Sequence, residues 1–168
     1  MNIKIEYINI TSIDSVLNIL NRVIQHMLNN NIDQWDEIYP NRTIIEKDIK
    51  SNHAYGIFVD NQLTGYFAIN DCQENEYNQI NWQYITGKHL VIHRLFIDPE
   101  YQGKGLAKKI LSFTEKYGRS NKYSSIRLDA FVNNKSALAL YEKNMFKLRG
   151  QVVFRKGTFN CYEKKIHS

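Results

Sequence analysis

Leu90-Val91-Ile92-His93-Arg94-Leu95-Phe96-Ile97-Asp98-Pro99-Glu100-Tyr101-Gln102-Gly103-Lys104-Gly105-Leu106-Ala107 decides how the rest of the chain is read. The apolar run from Leu90 to Ile97, stopped by Asp98-Pro99, predicts a buried strand. Leu106, Ile110, Phe113 and Tyr117 then recur at helical spacing, and Gly118 reads as the residue just past the helix end. Between strand and helix lie Gly103 and Gly105. Without a Cβ, glycine lets successive backbone N–H groups approach an anion together, and the positive end of the helix dipole favours that anion. Lys104, Lys108 and Lys109 add full charges nearby, or simply face solvent. The pattern outlines a pyrophosphate site, although a tight strand-to-helix turn needs the same glycines. A P-loop would require Lys-Ser/Thr after the last glycine, where Leu106 and Ala107 stand, and a dinucleotide fingerprint would require a small residue at Lys108.

Working outward, Ile3, Ile5 and Tyr7 alternate with Lys4 and Glu6, which predicts a strand with one buried face. Thr11-Ser12-Ile13-Asp14 is a capping-box pattern, followed by an apolar helical stripe through Ile13, Val16, Leu17, Leu20, Ile24 and Met27. Asn29-Asn30-Asn31 ends that helix. After a loop through Trp35 and Tyr39, Thr43-Ile44-Ile45-Glu46 opens a short helix that turns Ile45 and Ile49 inward. Strand-like runs at 55–59 and 63–69, joined by Asp60-Asn61-Gln62, predict a hairpin. Residues 71–88 read as a long loop carrying Trp82, Tyr84 and Ile85. Beyond the central helix, 125–131 is a strand, Asn134 caps a helix with Ala137, Leu140 and Tyr141, and strands at 148–154 and 159–164 turn at Lys156-Gly157. The order is β-α-α-β-β-β-α-β-α-β-β: an α+β domain with a mixed sheet.

Composition narrows the class. A chain of 168 residues, 43% hydrophobic, is expected to form one domain across 1–168 without help from metal or disulfides. Cys72 and Cys161 form no metal-type pair and read as reduced thiols, buried or half-buried. Met1-Asn2-Ile3-Lys4-Ile5-Glu6 lacks the apolar core of a signal peptide and no long apolar span occurs, so a soluble cytoplasmic protein is expected, with no membrane partner. The net charge of +5 favours an anionic partner, but without long Lys/Arg runs nucleic acid is not the expected one.

Gln102, Gly105 and Ala107 match the Gln/Arg-x-x-Gly-x-Gly/Ala motif of the GNAT superfamily of acetyl-CoA-dependent N-acyltransferases, and the chain resembles that family in element order from Ile3 to Lys164. Asn134-Lys135-Ser136-Ala137-Leu138-Ala139-Leu140-Tyr141-Glu142-Lys143 resembles its second motif. The resemblance implies a mostly antiparallel sheet of about seven strands with about four helices. It also implies acetyl-CoA as co-substrate and a small-molecule or peptide amine as acceptor, with the protein a monomer or homodimer. Leu95, Phe96 and Ile97 would line the pantetheine, and the amides of Gly103, Lys104, Gly105, Leu106, Ala107 and Lys108 would hold the pyrophosphate, with Gln102 in the turn. Asn134 would contact the cofactor, and Tyr141 would lie near its sulfur. A strand amide around Leu95 or Phe96 would polarise the thioester.

Acetyl transfer requires a neutral amine, a polarised carbonyl and a proton for the departing thiolate. Tyr141 is the expected proton donor, since a free phenol pKa of about 10 keeps it protonated at neutral pH. For the base, His93 shares a strand face with Ile97 by period two and resembles a histidine base of some arylalkylamine acetyltransferases. Glu100, Glu163 or a water chain are the alternatives. Trp35, Tyr39, Trp82 and Tyr84 could form an aromatic acceptor wall, although Trp35 and Tyr39 could equally anchor their loop. A binding module that holds acyl-CoA without transfer is the rival reading. Met145 stands where the family usually has glycine, so either Met145 or Asn144 must take left-handed geometry.

Overall fold

The changes of hydrophobic period set the element boundaries. A computed structural model describes all residues, Met1–Ser168. The elements are β1 (Ile3–Tyr7), α1 (Ile13–Asn29), α2 (Arg42–Lys50), β2 (Ala54–Val59), β3 (Gln62–Asn70), β4 (Lys88–Ile97), α3 (Leu106–Ser120), β5 (Tyr123–Phe131), α4 (Lys135–Lys143), β6 (Lys147–Phe154) and β7 (Gly157–Lys165), in the expected order. The strands form one seven-stranded sheet ordered β1-β2-β3-β4-β5-β7-β6. β4 and β5 pair in parallel, whereas β1–β2, β2–β3, β5–β7 and β6–β7 pair antiparallel, so the α+β class holds.

The chain divides into two compact units, Met1–Ile69 with His93–Ile110 and Asn70–Ile92 with Leu111–Ser168. In the first, the stripe of α1 buries Val16, Leu20 and Met27 as expected, together with Ile19 and Val23, against Ile45 and Ile49 of α2 and Tyr66, Ala68 and Phe96 of the sheet. Each fully buried aliphatic side chain contributes about 1.5–3 kcal/mol. The hairpin between β2 and β3 turns on Asp60 and Asn61, both left-handed at φ 48° and 69°, as a two-residue hairpin loop requires. Asn31, at φ 60°, ends the first helix region as the asparagine run suggested.

In the second unit β5 lies between β4 and β7. Ile126, Leu128 and Ala130 are buried on one face, while Arg127 and Asp129 point the other way. Register places Arg127 opposite Glu163 and Asp129 opposite Cys161.

Several local expectations need correction. Ser12 makes no side-chain cap. Instead Asn9 caps a 3-10 turn at Ile10–Ser12, and Asp14 pairs with Arg42. Tyr7 is 56% exposed and stacks on Tyr55 rather than entering the core. Helix α3 continues through Gly118, where an added Cβ would lie 2.4 Å from Ile166 Cδ1. That glycine serves close packing, and Lys122 at φ 60° takes the left-handed position beyond the helix. Residues 71–88 include a 3-10 turn at Asn75–Gln79 that buries Tyr77. Cys161 is buried as expected, but Cys72 is exposed. No helix is long and apolar enough to cross a membrane.

Candidate functional site

In the first unit, Asp98 ends β4 and accepts from the amide of Glu100, closing a 3-10 turn at Pro99–Tyr101. The Gln102 side chain then donates to the carbonyl of Ile97 at 2.9 Å, tying the turn back to the strand. Gly103 and Gly105 adopt φ 75° and 81°, where a side chain would be strained, and both open onto empty space. Leu106 is buried and anchors the start of α3, whereas Gln102, Lys104, Lys108 and Lys109 are exposed and Ala107 is half-buried. Lys109 N–H donates to Gly105 at 3.2 Å, so the amides of Leu106, Ala107 and Lys108 lie in the first turn, ahead of the helix's own ladder. Lys104 lies 4.8 Å over the Tyr101 ring. These exposed, glycine-shaped amides at the positive end of a helix, with three lysines beside them, fit a pyrophosphate.

Upstream of the turn, Phe96 is sandwiched: Tyr66 stacks on it at 5.2 Å between centroids and Trp35 meets it edge-on at 6.0 Å. Trp35 is therefore a core ring, and Tyr39 accepts from Arg94 Nη1 at 3.1 Å, so both residues anchor their loop. Ile97 is buried and Leu95 half-buried.

Arg94 carried no sequence expectation. It stands at φ 51° within β4, a left-handed kink that interrupts alternation. The face shared by His93 and Ile97 was inferred from period two, and that inference does not pass through Arg94. His93 is half-buried next to the kink. The Arg94 guanidinium holds Asp48 of α2 through both oxygens, at 2.8 and 2.6 Å, and Tyr66 donates to the same carboxylate at 2.7 Å. Arg94 and Asp48 are almost wholly buried, so the fork satisfies charges that would be costly alone. A charged residue inside an apolar strand run was the available signal. Nothing marked Asp48 as its partner.

In the second unit, Tyr141 is buried, with its ring 5.9 Å from Phe146 and 6.0 Å from Tyr162. Burial, then the Asp129 carboxylate and then Tyr162, push its phenol well above the ordinary tyrosine range. Asn134 caps α4 by accepting from the amide of Ala137 at 3.2 Å. Tyr77, fully buried, donates to Asp129 Oδ2 at 2.7 Å.

Glu163, a candidate base, is fully buried and receives Arg127 at 3.1 Å, Arg149 at 3.3 Å, Ser125 at 3.2 Å and the amides of Gln83 and Tyr84. Its oxygens act as a structural hub. Arg127 also donates to the Tyr84 carbonyl and lies 4.4 Å from the Trp82 ring centre, while the Trp82 indole donates to Tyr77 O at 3.0 Å. Trp82 and Tyr84 are thus pinned to the sheet by an ionic cluster that sequence reasoning did not register. Glu100 is exposed in the turn.

A model of the Acetyltransferase (GNAT) family matches residues 20–146. The spermine/spermidine N(1)-acetyltransferase of Bacillus subtilis (strain 168) is 31% identical over 115 residues, covering 64% of this chain and 70% of that protein. Among solved structures, a GNAT-family acetyltransferase from Streptococcus agalactiae 2603 superposes with TM-score 0.87 at 24% identity, covering 99% of this chain and 96% of the other. The PaiA N-acetyltransferase of Thermoplasma acidophilum, solved with coenzyme A, gives TM-score 0.73 at 21% identity, covering 98% and 99%. These structural likenesses fix the fold, and the family model and the 31% identical relative fix the lineage. The chain belongs to the GNAT family of acetyltransferases.

Proposed function

We propose that residues 1–168 act as one catalytic domain that transfers acetyl from acetyl-CoA to a primary amine in a ternary complex. The observation that carries the cofactor half is the turn at 102–108, two left-handed glycines locked to β4 by Gln102 and opening onto the first amides of α3. In this reading the amides of Gly103 to Lys108 hold the pyrophosphate, Lys104, Lys108 and Lys109 supply screened charge, and the strand around Leu95, Phe96 and Ile97 lines the pantetheine. Asn134 adds a cofactor contact from the start of α4, besides capping it. A cytoplasmic setting is consistent with the two free thiols.

Acetyl-CoA, when bound, supplies the acetyl thioester. A backbone N–H near Leu95 or Phe96 polarises its carbonyl, worth more in a dry site than in water. The neutral amine forms the C–N bond as the C–S bond breaks. Sulfur takes the Tyr141 proton, and the surplus proton on nitrogen returns to the Tyr141 oxygen. The raised Tyr141 pKa keeps the donor fully protonated at rest, and makes early donation a strong hydrogen bond to the departing sulfur rather than a complete transfer.

The test is thermal unfolding with and without acetyl-CoA, then thiol release with a panel of amines and peptide N-termini. Binding to the native state raises the apparent melting temperature. Gly105→Glu places a side chain and a negative charge at a left-handed turn residue, and should abolish the acetyl-CoA shift. Tyr141→Phe should keep the shift and lower thiol release by about 10²–10⁴-fold, the range for a general acid. A shift without turnover for any amine would favour an acyl-CoA-binding module, and no shift would refute the cofactor assignment.

A further inference from the structure

In the second unit, three segments meet around a groove of about 850 Å³: the loop at 83–86, the end of α3 with the start of β5 at 119–124, and the end of β7 at 165–168. Arg119, Lys122 and Lys165 line it, and no aspartate or glutamate does. Arg119 Nε donates to the His167 carbonyl at 2.7 Å, which orients the guanidinium and leaves its two terminal nitrogens without a bond. Lys122 and Lys165 form no ion pair. The carboxylates around the groove are engaged or lie outside it. Glu163 holds the amides of Gln83 and Tyr84 and is neutralised by Arg127 and Arg149, and Glu115 is paired with Lys164. Asp71 acts on Tyr123 without lining the groove.

The walls are tied to one another. Ile166 N–H donates to Ser124 O at 3.0 Å, joining the end of β7 to the start of β5. Gly87, at φ 79°, presses the loop onto the same residue, since an added Cβ would lie 2.1 Å from Ser124 Oγ. Arg127 donates to the Tyr84 carbonyl at 2.6 Å. The Tyr84 and Tyr123 rings are half-buried, with Lys165 Nζ 5.9 Å from the first and Lys88 Nζ 4.4 Å from the second, so cation–π contacts hold both ammonium groups beside the walls. The volume falls in the range of small-molecule pockets, about 300–1,000 Å³. A guanidinium with free terminal nitrogens and two unpaired ammonium groups match the several acceptor oxygens of a phosphate ester, and tyrosine rings suit the organic part it carries.

We propose that this groove is a second ligand site that takes an organic phosphate, with Arg119, Lys122 and Lys165 on the phosphate and Tyr84 and Tyr123 beside the organic part. It shares no residue with the glycine turn assigned to the acetyl-CoA pyrophosphate, and it gives the net positive charge of the chain a second anionic partner.

The experiment is calorimetric titration of the full chain with fructose 1,6-bisphosphate, with uridine diphosphate, and with citrate as a carboxylate control. Each is also titrated into Gly105→Glu, which disables the glycine turn, and into the charge-reversed Lys122→Glu/Lys165→Glu. At least one phosphate should bind Gly105→Glu one-to-one, with a Kd within about twofold of that for the same groove in the wild type, because the two sites share no partners. The charge-reversed protein should bind it about tenfold more weakly or worse, as should raised salt, and citrate should bind about tenfold more weakly than the phosphate. Circular dichroism checks that the reversed variant folds. If it does not, Lys122→Asn/Lys165→Gln takes its place and should also weaken binding, since asparagine tolerates the left-handed φ of 60° at position 122. Binding of neither phosphate would overturn the proposal, and so would unchanged affinity in the lysine variants. Loss of binding in Gly105→Glu would return the phosphate to the glycine turn. Citrate binding as tightly as the phosphates would overturn the phosphate class, and a single-stranded RNA oligonucleotide binding more tightly than both would overturn the small-molecule one.

Discussion

Met145→Gly should stabilise this protein. Helix α4 ends at Lys143 with Asn144 as C-cap, and Met145 follows at φ 69°. Met145 N–H donates to Glu142 O at 3.2 Å and Phe146 N–H to Tyr141 O at 3.0 Å, the two bonds of a Schellman ending. The accompanying apolar contact is the pair Tyr141 and Phe146, ring centres 5.9 Å apart. Every part of the motif is present except the glycine. A side chain in left-handed geometry costs about 1–2 kcal/mol, and glycine's extra freedom in the unfolded chain returns about 0.4–1. Met145 is 61% exposed, so little packing is lost. The net gain is about 0.5–1 kcal/mol, or roughly 1–4 °C in Tm for a chain of this length. Thermal unfolding by circular dichroism measures it, with Met145→Ala as control, since alanine removes the same exposed side chain and keeps the strain. Stabilisation by alanine equal to that by glycine would refute the backbone argument, and a lower Tm for glycine would show that the Met145 side chain contributes packing.

Glu163→Gln should cost about 3–5 kcal/mol, because Arg127 stays buried with its charge uncompensated. Urea unfolding reads the loss and amide hydrogen exchange at Gln83 and Tyr84 should quicken; a change under 1 kcal/mol would refute the hub. Alkaline pH should destabilise the fold. Burial holds Tyr66, Tyr77 and Tyr141 above the ordinary tyrosine range and pushes Cys161 up to about 12. In the unfolded chain these groups ionise from about pH 8.5 for the thiol and about 10 for the phenols. Above those values the unfolded chain binds fewer protons than the native one, so stability falls as pH rises. The urea midpoint should decline above about pH 9 and more steeply beyond 10, and a flat profile to pH 11 would refute it.

The parts of the fold that follow one residue's local rules were legible. Two left-handed glycines beside Gln102, a hairpin on Asp60-Asn61, the helix caps at Asn134 and the apolar stripe of α1 each rest on short-range sterics or periodicity, and each is where the sequence put it. What was missed is pairwise and long-range. Arg94 meets Asp48 across 46 residues of sequence, Tyr77 meets Asp129 across 52, and Glu163 meets the amide of Gln83 across 80. Apart from Arg94, a charge inside an apolar strand run, no member of these pairs has a distinctive local pattern. Trp82 shows the same limit: a tryptophan in a loop reads as an available face, yet this one is covered by Arg127, whereas Trp35, packed edge-on to Phe96, takes the loop-anchoring alternative.

The two non-glycine strains of β4 and α4 follow from this distinction. Arg94 breaks the strand's alternation at φ 51°, at an expected cost of about 1–3 kcal/mol. The cost is offset by the buried fork to Asp48 and the bond to Tyr39, which engage all three guanidinium nitrogens. Met145 has no such partner and is mostly exposed, so its strain is offset by nothing local. A left-handed residue locked by a buried ion pair marks a position where the backbone's direction is required, here within β4, ahead of the buried Phe96 and Ile97. A left-handed residue in solvent marks a position where any sequence able to end the helix would serve. The first kind of irregularity is held by the surrounding structure and the second is not, which is why strain can be relieved at Met145 and not at Arg94.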